Sequence, residues 1–277
     1  MYARLKSAIR DRRVFSGIRN RYSRLVRERL LRAVLQQKFI APESLPAICL
    51  TGDFSASAMG RLAKKAFEKA LTQDNCVPQV IRDIEGMSGQ KYRSFINSFV
   101  RSFADARYLE IGSWAGSTVA AALCGNKAKA LCIDNWSQFG GPKSQFFSNI
   151  ELVKSPDIDF RFIEQDFRTV DYRSVGIFNI YLFDGPHKEA DQYDGITLPQ
   201  QALAHTHMLI VDDWNWFQVR VGTLQALKDA NCKIECSIEI RTTLNNEHPQ
   251  VFGEHSDWHN GYFIAIICRR SASKVEE

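Results

Sequence analysis

Between residues 107 and 213 the chain repeats one pattern: a short apolar run, then a helix-like stretch. The runs are RYLEIG (107–112), KALCID (129–134), FRFIEQD (160–166), FNIYLFD (178–184) and HMLIVDD (207–213). Two more, CKIECSIEI (232–240) and GYFIAIICR (261–269), follow. Strands spaced by helical patterns require crossover connections, so a mainly parallel α/β sheet is expected. Several runs end in acids: Asp134, Asp166, Asp184 and the pair Asp212–Asp213. Open α/β sheets bind ligands beyond the carboxyl ends of their strands, so this row of acids marks one edge as the site.

The other segments frame that domain. Residues 1–40 hold twelve Lys/Arg against Asp11 and Glu28, a local charge of +10, so the remaining 237 residues carry −5 of the chain's +5. Within the first segment, 18–38 has helical apolar spacing among arginines. Such a helix packs on its own domain or a second subunit, lies on an anionic membrane, or contacts nucleic acid. Residues 41–54 (APESLPAICLTGDF) read as a linker, 56–72 as a helix, and 78–104 as one or two helices broken at Gly86–Gly89. The expected division is a basic helical extension (1–40), a helical cap and linker region (41–104), the α/β domain (105–270) and a tail (271–277). No run of eighteen apolar residues appears, and the start lacks the apolar centre of a secretory signal. The seven cysteines show neither disulfide nor zinc spacing. The expected location is therefore the cytoplasm, with the basic helix offering contact with the inner face of a membrane. A mildly acidic body argues against a nucleic-acid groove there.

The most informative segment is Y-L-E-I-G-S-W-A-G-S-T, residues 108–118. A strand runs into Glu110, and Gly112 and Gly116 permit a tight turn with close backbone approach. A helix starting near Ser117 then offers free N–H groups. A dinucleotide site would want G-x-G-x-x-G. Here an acid stands two residues before the first glycine, which repels a pyrophosphate and suits an ammonium. Asp134 ends the next strand, where a carboxylate can accept two ribose hydroxyls. Together they select a nucleoside joined to an amino acid.

On these residues the chain resembles the class I S-adenosylmethionine-dependent methyltransferases over about residues 105–270. E-I-G-S-W-A-G-S-T is similar to their first motif, and C-I-D-N-W, with Asp134, Asn135 and Trp136, to their second. The resemblance implies a Rossmann-like seven-stranded sheet with helices on both faces and an antiparallel last strand. It also implies S-adenosylmethionine as cofactor and Asp166 near the adenine amino group.

Asp184 ends the fourth of these strands, beside the expected sulfonium, and His187 follows on D-G-P-H. A histidine there can take the proton of a hydroxyl as the methyl group leaves sulfur; the alternative is an ordinary polar loop residue. Asp184, Asp212 and Asp213 would supply three oxygen donors for Mg²⁺; the alternative for the last two is loop capping. The D-G-x-H then D-D arrangement looks similar to metal-dependent sugar and macrolide O-methyltransferases. The loop N-W-S-Q-F-G-G-P (135–142) is a candidate lid with Trp136 against adenine, or a turn over buried aromatics. Trp214, Trp216 and Phe217 either wall an acceptor pocket or belong to the core. Asp191 and Asp194 read as solvated helix positions; His255 and His259 precede the last strand without ligand spacing, and either border the pocket or are ordinary residues of that loop.

The expectation is methyl transfer to a hydroxyl of a small molecule or glycan precursor, with His187 as base and Asp184 orienting it or holding metal. Two alternatives stay open: an RNA methyltransferase using the basic arm, and a non-catalytic binding module of the same fold. A hydroxylase-like relative would need iron ligands that the sequence does not offer.

Overall fold

The computed structural model describes residues 46–72, 76–251 and 253–269. The helix expected at 18–38, the basic extension and the tail at 271–277 lie outside the described residues. Eight strands form one sheet: β1 (Ala47–Gly52), β2 (Ala106–Ile111), β3 (Ala128–Asp134), β4 (Ile158–Glu164), β5 (Phe178–Phe183), β6 (Leu203–Val211), β7 (Cys232–Arg241) and β8 (Tyr262–Arg269). Their order across the sheet is β1-β7-β8-β6-β5-β2-β3-β4. Strands β4, β3, β2, β5 and β6 run parallel, whereas β8 lies antiparallel to both β6 and β7.

The eighth strand corrects the sequence reading, which had 41–54 as a linker and seven strands. β1 pairs antiparallel with β7, from Ala47↔Arg241 to Gly52↔Cys236. It is an edge strand whose outer residues are exposed, so its sequence lacks the apolar alternation of a half-buried strand. Its partner also lies far along the chain, beyond any local signal.

Alternation along each inner strand divides the core in two. Tyr108, Ile180, Leu182 and Ile210 face one layer, while Leu109, Ile111, Tyr181, Phe183 and Val211 face the other. The first layer is built from α1 (Ala58–Leu71), α2 (Gln79–Arg82), α3 (Gln90–Arg101), α4 (Ser117–Leu123) and α5 (Lys143–Glu151). The second is built from α6 (Glu189–Thr197) and α7 (Phe217–Asp229). Ser57 caps α1 by accepting from the Gly60 N–H at 3.0 Å. Phe95 and Phe99 of α3 are fully buried, each gaining about 1.5–3 kcal/mol from burial. The helices at 58–101 thus cover a sheet face rather than the open edge of the cleft. Among the described residues of this stretch, only Met87 reaches the cleft described below.

Candidate functional site

The connection reverses direction between β2 and β5: β3 and β4 lie on one side of this pair and β6 on the other. Such a switch point opens a crevice at the carboxyl ends of the strands. A cleft of about 810 Å³, its mouth included, opens there, bordered by Gly112, Asp134, Asn135, Asp166, Asp184, His187, Asp213 and His259 among others. Gly112 makes the close approach possible. It has φ +88°, and a Cβ would lie 1.9 Å from the Asp184 carbonyl oxygen. The Asp184 N–H donates to the Ile111 carbonyl at 2.9 Å, locking the two strand ends together.

Asp134 organises the rim. Its Oδ2 accepts from the Trp114 N–H at 2.8 Å and its Oδ1 from the Trp136 N–H at 2.7 Å. The two loops interlock further: the Trp136 indole donates to the Trp114 carbonyl and the Trp114 indole to the Phe139 carbonyl. Trp114, Trp136 and Phe139 all take positive φ, a strained arrangement for side chains of this size. Each carboxylate oxygen of Asp134 keeps a lone pair for a ligand.

Four residues expected at the cofactor site stand behind the cleft wall. Glu110 shares the face of Tyr108, because side chains two apart on a strand point the same way; it is fully buried and accepts the Tyr108 hydroxyl. Burial raises its pKa to about 7, the Tyr108 hydrogen bond opposes that, and the charge of Asp134 adds to it. Gly116 lies under Phe146. Ser117 is covered by the 86–88 loop, its Oγ 3.1 Å from that of Ser88. Trp136 stacks on Phe162 with 4.7 Å between centroids, leaving Trp114 as the aromatic at the cleft.

At the other end of the cleft the acids sort themselves by geometry. Alternation along β6 turns Asp212 to the side of the stacked phenols Tyr92 and Tyr262, whereas Asp213, at φ +56°, turns to the cleft. His187 Nε2 is in ion-pair contact with Asp213 Oδ2. Asp213 Oδ1 accepts from the Asn260 amide at 2.7 Å and lies 3.9 Å from His259 Nε2. Burial pushes Asp184 and Asp212 well above the carboxylate range; the charge of Asp213 adds to the shift at Asp184 against the opposing pull of His187, and the charges of Asp184 and Asp213 add to it at Asp212. For Asp213, burial alone would raise the pKa; hydrogen bonds and charge from His187, with His259 and Asn260, win and hold it low. For His187, burial lowers the pKa, but Asp213 and then Asp184 outweigh it and the net shift is upward.

The ligand atoms that gather within 4.8 Å belong to Asp184, His187 and Asp213. Asp212 is not in this group, which corrects the expected trio. An imidazole in the donor set departs from the all-oxygen shell that Mg²⁺ prefers, so the residues do not fit the expected ion.

Asp166 borders the cleft, yet one oxygen caps the turn at Phe167–Thr169 by accepting the Arg168 N–H. Asp191 and Asp194, read as solvated, instead bind Arg168, the latter at 2.9 Å from Nε. Trp214 is core, stacked on Phe263 at 4.4 Å, and donates to Glu239. Trp216 stands edge-on to His187 at 4.8 Å. Of the two histidines before the last strand, His259 borders the cleft, whereas His255 is not among its lining residues. All seven cysteines are free thiols. No helix among the described residues is long and apolar enough to cross a membrane.

No protein-family model matches the sequence, and no curated protein matches it. Solved structures with a similar arrangement include the SAH-bound methyltransferase PaMTH1 of Podospora anserina, at 16% identity and TM-score 0.45, covering 76% of this chain and 88% of that one. The O-methyltransferase TomG of Streptomyces achromogenes, solved with SAM, has 12% identity and TM-score 0.46, with 75% and 89% covered. The SAH-bound O-methyltransferase of Bacillus cereus has 11% identity and TM-score 0.43, with 75% and 90% covered. Likeness of this degree carries no argument about activity.

Proposed function

We propose that the chain is an S-adenosylmethionine-dependent methyltransferase acting on a hydroxyl of a small molecule or glycan precursor. One observation carries the reading: a single cleft has a carboxylate with spare lone pairs at one end and a histidine–aspartate pair at the other. Asp134 is suited to the two ribose hydroxyls, and Gly112 lets the Asp184 strand end close the wall beside it. Asp134, Asp166 and Asp213 outnumber Arg168 along the lining, which favours a ligand bearing positive charge over a pyrophosphate.

When bound, the cofactor supplies a methyl group on a sulfonium leaving group. His187 takes the hydroxyl proton at Nδ1, since Nε2 is held by Asp213. Asp213 positions the ring and offsets the charge it acquires. Because the net shift of His187 is upward, its proton-accepting form dominates only above the ordinary histidine range, and turnover should rise on the alkaline side of pH 6.5. Alignment of oxygen, methyl and sulfur is the larger task, and the fixed strand ends serve it.

The test is calorimetric titration of the whole chain with S-adenosylmethionine and, separately, NAD⁺. Micromolar binding of the first, lost in Asp134→Ala, is expected. Absence of that binding, or binding of NAD⁺ in its place, overturns the proposal.

A further inference from the structure

Asp213 is held from two sides, and the second side has no part in the chemistry above. His259 is buried, and its Nδ1 accepts the Gly253 N–H at 2.9 Å. That bond leaves the ring proton on Nε2. Nε2 in turn lies 3.9 Å from Asp213 Oδ1, the oxygen that does not meet His187. This is charge–dipole range rather than a hydrogen bond. Next along the chain, Asn260 donates to the same Oδ1. Two non-glycine residues on separate loops, Asp213 at φ +56° and His259 at φ +43°, take left-handed conformations to meet there. Strain of this kind persists only where surrounding structure imposes it, and it clusters at working sites.

We infer that His259 is a positioning residue for the His187–Asp213 pair: through its Nε2–H it keeps Asp213 turned so that Oδ2 faces His187. This extends the proposed methyl transfer and rests on it for its catalytic meaning, though the arrangement itself exists in the free protein. The alternative is a merely structural role, in which only the Nδ1 contact matters and holds the 253–259 turn. The two differ in which nitrogen does the work.

Two variants separate them. A glutamine amide nitrogen reaches about where Nε2 stands, and an asparagine oxygen about where Nδ1 stands. The readout is the NMR titration midpoint of the His187 ring in the whole chain without cofactor, assigned by comparison with His187→Gln. His187 faces Asp213, Asp184 and Asp191; His259 faces Asp213, His248, His187 and Glu254. Positioning through Asp213 predicts that His259→Gln leaves the midpoint near that of the wild type. His259→Asn should lower it toward its value in Asp213→Asn. The opposite ranking, or no movement in either variant, overturns the inference. Affinity for S-adenosylmethionine, measured on the wild type alone, tests the proposed function separately. Loss of binding in the wild type would instead strike the methyltransferase reading and leave the midpoint result standing.

Discussion

Replacing Gly112 with alanine tests the close approach on which the cleft depends. Two penalties apply there. A Cβ at φ +88° costs about 1–2 kcal/mol from the left-handed conformation alone. The same Cβ would sit 1.9 Å from the Asp184 carbonyl oxygen and 2.5 Å from its carbon, both backbone atoms that no rotamer change can move. Parting β2 from β5 to make room adds about 1–3 kcal/mol, as overpacking does in other cores. Gly140 is the matched control, since it has φ +79° but nothing within 4 Å of its would-be Cβ. Gly112→Ala should therefore cost about 2–5 kcal/mol and Gly140→Ala about 1–2 kcal/mol. Urea unfolding followed by far-ultraviolet circular dichroism reads both, as a lower midpoint at an unchanged slope. Gly112→Ala should also weaken S-adenosylmethionine binding, because Asp184 moves with the strand end. Equal losses in the two variants would refute the reasoning, for backbone conformation would then account for the whole effect.

Glu110 makes stability depend on pH. Its folded pKa of about 7 lies above the ordinary glutamate value of 4.5, so the native state holds a proton that the unfolded chain has released, and stability falls as pH rises through that window. Glu110→Gln should abolish this decline and gain about 3 kcal/mol at pH 8 relative to the wild type; parallel stability curves for the two proteins would contradict it. Asn215 is fully buried and joins the loop after β6 to Thr242 and Asn260 through hydrogen bonds of 2.8 Å. Asn215→Ala should cost about 2–4 kcal/mol in chemical denaturation, because buried polar partners lose their bonds. A loss below about 0.5 kcal/mol, typical of surface positions, would show that the network is dispensable.

The amino-acid sequence by itself determined the run of strands from 107 onward and the edge at which their acids collect. Apolar alternation is a local property, and a strand end can be read from the residue where it stops. Gly112, Asp134, Asp184 and His187 were legible on that basis, and all four border the cleft. Tertiary structure decided which neighbours those residues meet. Glu110 faces away because the strand places it on the face of Tyr108. Asp212 and Asp213 are adjacent in sequence yet point into different environments, since one continues the alternation of β6 and the other takes a left-handed turn. Trp114, not Trp136, reaches the cleft, because the pair is set by how two loops lock around one carboxylate. β1 and the approach of His259 to Asp213 lay beyond reach for the same reason. The strand's partner is near residue 240 and the histidine's is Asp213, and contacts between residues so far apart leave no periodic trace in either segment.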